Sequence, residues 1–432
     1  MSDHSLLLES PPPGWTPARF GDICDRVQDA ASPLANGKRL YLGLEHLASG
    51  HPTLVGRGKE SDVRSGKTEF HKRDVLFGKL RPYLRKSVLV SEDGICSTDI
   101  LVFRAAEKCI PEFLCLLTHT DQFVGHAKAT TSGVQHPRTS WGGLRDLRLH
   151  VPPLPEQSKI AAVLGVVQGA IEQQERLLQL IAELKKTLLH QLFTQGLRGE
   201  PQKQTEIGPV PESWEVMKLR DLCDLIVDCP HTTPKFQTEG IRVARNFNIR
   251  DGRFVAAPAF YTTKEEYQQR IKRAEPLPGD ILFSREAPVG EACAIPEGMK
   301  LSLGQRIMLL RASEGKLDAQ FMVYCFYAPN VRPRMLASSS GLTVPHLNVA
   351  DVRDLSVPIP PLCDQQQIAT AILTVDTKGE CHRKKHAALT ALFRTLLHQL
   401  MTAQIRVHDL DLSALGVTGL SIENSEQKNN KP

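Results

Sequence analysis

The sequence predicts an α/β (α+β) protein: two globular α/β domains, each followed by a long helix, with the helices paired as a coiled coil in one pseudo-two-fold repeat. Three observations predict it. The hexapeptide TLLHQL occurs twice, at 187–192 and 395–400, 208 positions apart. At that offset residues 132–198 align with 340–406 without a gap, and 23 of the 67 positions are identical, so the chain carries an internal duplication. Each copy holds a 4-3 spacing of apolar residues sustained over about forty positions, behind a region of short β-rich runs.

The first globular domain spans 1–154. Runs such as DVLF (74–77) and DILVFR (99–104) read as strands, and 111–124 reads as a helix. VPPLP (151–155) closes the domain, because proline withholds the backbone donor that a strand or helix interior needs. A helix is predicted over 155–198, with Ile160, Leu164, Val167, Ile171, Leu178, Ile181, Leu188 and Leu192 on its seam, broken only by Gln174 and Lys185. Gly196 and Gly199 end it. At 1.5 Å per residue such a helix is roughly 60 Å long. A polar linker (199–213) leads to the second globular domain, 214–362. The second helix, 363–406, keeps Ile368, Ile372, Val375, Leu389, Phe393, Leu396 and Leu400 on its seam, with Gly379, His382 and His386 interrupting. The polar tail, 407–432, is expected to be disordered. Each seam needs a cover: the other helix, parallel or antiparallel, or the neighbouring globular domain. Duplication of the whole helix favours the pair.

Composition bounds the function classes. Forty-one per cent apolar and 23% charged residues are ordinary for a water-soluble chain, and the net charge of +5 is a weak pointer to an anionic partner. The N-terminus lacks the basic and apolar regions of a signal peptide, and no apolar run is long enough to span a bilayer. Ten scattered cysteines without a C-x-x-C spacing read as reduced, cytoplasmic thiols.

The duplicated opening P-P-L-x-E/D-Q-x-x-I-A (152–161 and 360–369), the repeated TLLHQL and the globular–helix–globular–helix order together resemble the specificity subunit of type I restriction-modification systems. LFGKLRPYLRK (76–86) and CSTDILVFR (96–104) are similar to the first recognition domain of that family. VDCPHTTPK (227–235), SREAPVGE (284–291) and LGQR (303–306) are similar to pieces of its second. The resemblance implies two target-recognition domains that read the halves of a split double-stranded DNA sequence. It also implies helices that serve as spacer and as docking surface for two methyltransferase subunits, with translocase-nuclease restriction subunits joining later. S-adenosylmethionine, ATP and magnesium would then belong to the partner subunits and not to this chain, which would be non-catalytic.

Several stretches can meet DNA. Residues 71–86 hold six Lys or Arg against one Asp, interleaved with Phe77 and Tyr83. That composition suits phosphate contacts with a few base readers, or else a solvated basic strand pair. Lys79, Arg81, Tyr83, Arg85 and Lys86 are the candidates here. Lys79 and Lys86 are expected on phosphates, because an ammonium is a point charge with little geometric selectivity. In the second domain residues 241–253 hold four Arg, Arg245 among them, against one Asp, and Asn246 and Asn248 are either adenine-reading groups or turn asparagines of an ordinary hairpin. His231, Thr232, Thr233 and Lys235 sit on a proline-stiffened loop that fits either a contact or a turn. Arg285, Gln305 and Arg306 follow strand-like runs; base reading by at least one of Arg81, Arg285 and Arg306 competes with surface ion pairing. TSGVQHP (131–137) and SSGLTVP (339–345) read as turns that launch the chain toward each helix.

Catalytic motifs are missing. SGKT (65–68) fails as a phosphate-binding loop because Ser61 stands where glycine is required, and no N-P-P-[YF] tetrapeptide exists. His382 and His386 share a helix face, with no carboxylate at useful sequence spacing to complete a metal site. The basic run at 71–86 has few equivalents at 276–290, so two different half-sites, and an asymmetric target, are expected.

Overall fold

The structure, a computed structural model, describes residues 12–230, 232–339 and 345–407. The chain divides into two compact units, Met1–Arg176 with Arg383–Pro432, and Leu177–His382. Each unit therefore owns one globular part and one half of each long helix.

In the first unit the central sheet is antiparallel, in the order Cys24–Val27, Ile100–Ala105, Val75–Gly78, Ser87–Leu89. Side chains alternate across a strand, so the continuous apolar runs imply burial on both faces. Val75, Phe77, Leu101 and Phe103 join a core with the helices Pro111–Leu117 and Asp121–Ala129. Leu76, Ile100 and Val102 face a second core against a mixed five-stranded sheet that includes Leu40–Leu42, Lys67–Phe70 and Gly94–Cys96. Thr16–Arg19 pairs with Arg148–Val151 and closes the unit beside the helix start.

The second unit repeats the plan. Its antiparallel sheet runs Cys223–Asp228, Ile307–Ala312, Ile281–Ser284, Ala292–Ala294, with Ile281, Phe283, Met308 and Leu310 on one core and Leu282, Ile307 and Leu309 on the other. Ile241–Ala244 pairs in parallel with Leu301–Leu303, and Glu215–Lys218 closes the unit against Ser356–Ile359. The stretch expected as a plain linker contains a hairpin, Gln202–Thr205 with Gly208–Pro211, because Gly208 supplies the left-handed turn residue.

The long helices run Leu154–Gln195 and Leu362–Met401. Within each unit their halves lie antiparallel. In the first, Glu156 accepts two hydrogen bonds from Arg406 (2.9 and 3.0 Å). In the second, Asp364 meets Arg198 at 3.2 Å, which is the same pair displaced by the repeat. The seams serve both candidate covers at once: Ile160, Leu164 and Ile171 share a core with Phe393, Leu397 and Leu400 and with the globular part.

The repeated P-P-L-x-E/D-Q motif has a structural reason. Gln157 and Gln365 are fully buried where the helices start. Gln157 donates to Lys108 O (2.8 Å) and Pro152 O (2.9 Å) and accepts from Ile110 N (2.9 Å). Gln365 donates to Lys316 O and Pro360 O (both 3.0 Å) and accepts from Asp318 N (2.8 Å). Each amide satisfies three backbone groups that would otherwise be buried without partners, which fixes the direction in which the helix leaves its domain.

The polar breaks in the seam are also filled. Lys185 reaches Asp376 at 2.7 Å, and Tyr324 donates to the same carboxylate at 2.9 Å. His386 has a carboxylate beside it that sequence spacing does not reveal: Glu175, from the other helix, lies 3.3 Å from His386 and 3.6 Å from His51. The partner lies 211 positions away, beyond any local spacing rule. Among the described residues no three such groups are arranged to hold a metal ion, and no helix is long and apolar enough to cross a membrane.

Candidate nucleic-acid interface

Each central sheet ends in a loop cluster, and the two clusters are built on the same backbone hydrogen bonds. In the first unit Lys79 N–H donates to Asp99 O (2.9 Å) and Thr139 N–H to Lys79 O (3.1 Å). In the second Arg285 N–H donates to Arg306 O (3.2 Å) and Leu347 N–H to Arg285 O (3.0 Å). Lys79 thus corresponds to Arg285, and Asp99 to Arg306.

In the first cluster the loop from Lys79 to Lys86 crosses a short turn, Pro82–Leu84, flanked by Arg81 and Arg85, both at φ 50°. A left-handed arginine is uncommon and must be held. Arg81 N–H donates to Pro137 O (2.8 Å) and Arg85 N–H to Pro82 O (3.0 Å). The Arg85 guanidinium donates to His119 O (2.7 Å) and pairs with Asp121. Lys86, expected on a phosphate, donates to Leu44 O at 2.5 Å. Arg85 and Lys86 therefore anchor the loop, while Arg81 and Tyr83 present exposed side chains, and Lys79 is half-buried at the edge. Arg138, which the sequence reading passed over, clamps Asp99 with two bonds (2.9 and 3.3 Å). That bond, with the nearby charges of Lys79 and His136, holds the Asp99 carboxyl below the usual range.

In the second cluster Arg285 is nearly buried, with its guanidinium 3.4 Å from Asp228, 3.6 Å from Glu286 and 3.3 Å from Leu347 O. Arg306, at φ 76°, is exposed and pairs with Glu286 at 3.0 Å. Gln305 accepts from the Thr233 hydroxyl (3.1 Å). Asn246 donates to Glu286 O (2.6 Å) and Asn248 to Val255 O (2.8 Å), so both amides brace backbone. Thr232 is pinned by Arg270, a nearly buried residue absent from the sequence candidates, which donates to Thr232 O (3.1 Å) and Leu303 O (3.0 Å). Lys235 is exposed. His231 lies outside the described residues.

Arg245 sits in an aromatic cage, its guanidinium 5.2, 5.0 and 4.9 Å from the rings of Phe236, Phe247 and Phe260. Ring faces hold the cation without neutralising it, and no carboxylate among the described residues pairs with it. The cage draws on three separate segments, so no local pattern announces it.

Neither cluster contains a nucleophile and base in catalytic arrangement among the described side chains. What they offer is cations, amides and hydroxyls on braced loops, the chemistry that contacts phosphates and base edges.

The comparisons agree. The type I restriction modification DNA specificity domain model matches residues 12–183 and again 211–391. A protein of Methanocaldococcus jannaschii named as a type I restriction enzyme MjaX specificity subunit is 27% identical over 413 residues, covering 92% of this chain and 95% of its own. The MjaVIII specificity subunit of the same organism is 22% identical over 426 residues, covering 94% and 96%. The crystal structure of the type I restriction-modification S subunit from M. genitalium superposes with a TM-score of 0.59 at 14% identity over 91% of this chain and 97% of that one, which is a likeness of fold. A DNA-specificity domain matched twice, on two copies of one scaffold, places this chain in the family of type I restriction-modification specificity subunits.

Proposed function

We propose that each globular unit reads one half of a bipartite, asymmetric double-stranded DNA target, and that the chain presents that DNA to partner subunits which perform the chemistry. The carrying observation is the pair of equivalent loop clusters: one backbone plan holds Lys79 and Asp99 in the first unit but Arg285 and Arg306 in the second. Equal scaffolds with unequal side chains are what two different half-sites require. The partners are two methyltransferase subunits, which bind S-adenosylmethionine and turn the target adenine out of the duplex, and restriction subunits that use ATP and magnesium. Exposed apolar residues on the helices suit such docking: Leu184 (50% exposed) and Leu392 (45%) stand at equivalent repeat positions.

Methylation by the reconstituted complex, mapped at single-base resolution, tests the reading. The expected product is adenine methylation in two dissimilar half-sequences separated by unread bases, and none from this chain alone. A palindromic or uninterrupted target, or methyl transfer without the partner, overturns it.

A further inference from the structure

We propose that the loop at 131–138, closed by a single backbone bridge, is a reading finger that enters the major groove and sets Val134 against the 5-methyl group of a thymine. The inference rests on the DNA-reading function proposed above, and it reassigns a segment whose sequence reads as a simple turn.

The base of the loop is locked. Ser132 and Arg138 exchange both backbone hydrogen bonds (2.9 and 3.0 Å). Gly133, at φ 89°, makes the turn that an L side chain would strain. The loop is docked on the Lys79–Arg81 segment by Arg81 N–H to Pro137 O (2.8 Å) and Thr139 N–H to Lys79 O (3.1 Å). The Arg138–Asp99 clamp ties it to the end of the central sheet. The tip is bare: Val134 is 99% exposed, and Gln135 and His136 beside it are exposed as well.

A single apolar side chain in water is ordinary on a loose loop. Here it tops a braced loop that docks on the backbone of Arg81 and Lys79. The major groove admits an element as wide as an α-helix, and thymine alone among the bases displays a methyl group there, which an apolar side chain can cover. The cations of the Lys79–Arg81 loop then fall on the phosphates that border the groove. The sequence repeats Ser-Gly-apolar-x-x-Pro at 340–345, with Leu342 as the apolar residue; residues 340–344 lie outside the described residues.

The test uses the full chain assembled with its methyltransferase partner and duplexes carrying the mapped target. Each thymine of the first unit's half-site is replaced singly by deoxyuridine, which removes only the methyl group, and binding is measured by competition. In the unaltered complex one replacement should weaken binding about three- to tenfold. Val134→Gly should weaken binding to the thymine duplex by a similar factor and make it indifferent to that replacement. Val134→Leu should keep the sensitivity, and the salt dependence should not change because no charge is lost. Indifference of the unaltered complex to every deoxyuridine, or an undiminished penalty in Val134→Gly, overturns the finger while leaving DNA reading intact. A complex that fails to tell its target from scrambled duplex overturns both.

Discussion

The two units solve one packing problem with different chemistry, and the difference is sharpest where the helices meet their own globular parts. In the second unit Lys185, Asp376 and Tyr324 form a buried polar network, with Lys185 also donating to Asp251 O (2.8 Å). The repeat places Phe393 and Gln168 at the corresponding positions of the first unit, where Phe393 is buried and Gln168 donates to Pro52 O (2.9 Å). One half is held by apolar burial at this point and the other by a charge pair. A buried pair fixes register at little net gain in stability, since desolvation of the two charges offsets most of their attraction.

Breaking that pair should give the largest effect. Lys185→Met leaves Asp376 buried without its cation and should cost about 3–5 kcal/mol. Lys185→Phe with Asp376→Gln, the first unit's solution, should come within about 2 kcal/mol of the unaltered protein. Urea unfolding followed by hydrogen exchange at 319–325 compares them, and a single variant no worse than the double would remove the distinction.

Acid should separate the units next. His119, buried in the first, donates through Nε2 to Ser87 O (3.1 Å), and burial pushes its pKa down to about 4. The repeat puts Tyr327 at the equivalent place in the second unit, bonded to Ala292 O (3.2 Å) and Glu291 (3.0 Å) and with its phenol pKa raised. A histidine whose folded pKa lies below its unfolded value near 6.5 stabilises nothing extra at high pH but destabilises as pH falls. Between about pH 6.5 and 4 the unfolded state binds a proton that the folded state refuses, costing the first unit about 3 kcal/mol. The tyrosine stays neutral throughout that window. Exchange at 111–129 should therefore accelerate before exchange at 319–325, and His119→Gln should abolish the lead.

The smallest effect concerns the repeated ion pairs. Arg406 is mostly buried and bidentate on Glu156, which also accepts from Trp15 (3.2 Å). Arg198 is mostly exposed, and its contacts to Asp364 are longer, 3.2 and 3.3 Å. Arg406→Ala should cost about 1.5–3 kcal/mol and Arg198→Ala under about 1 kcal/mol by urea denaturation. Equal losses would mean that exposure does not govern these pairs.

Much of the scaffold was legible because it is written in periodicity. The 4-3 seam, the duplicated motif before each helix and the apolar runs of the sheets depend on spacing along one segment, and Ile160, Leu164 and Ile171 are buried where spacing puts them, whereas Phe77, read as an aromatic of the basic run, is buried in the core. Their repetition 208 positions apart also made the family resemblance readable. The candidate interface was legible only as composition. The basic run marked a loop at the end of the central sheet, but not that Arg85 and Lys86 would turn inward while Arg81 and Tyr83 stayed outside. Nor could the sequence show that Arg285 would be enclosed by Asp228 and Leu347 while Arg245 met three phenylalanines.

The linear pattern alone establishes that two similar units exist, that each opens its helix with the same glutamine, and which helix faces are apolar, because hydrophobic burial is a matter of period and needs no named partner. Which cations bind the protein itself, which face solvent, and that the two glutamines are buried emerge only from the folded arrangement. An arginine's partner is a carbonyl or carboxylate brought from tens or hundreds of residues away, as Asp99 is to Arg138 and Glu156 to Arg406, and such a meeting exists only once the chain has folded.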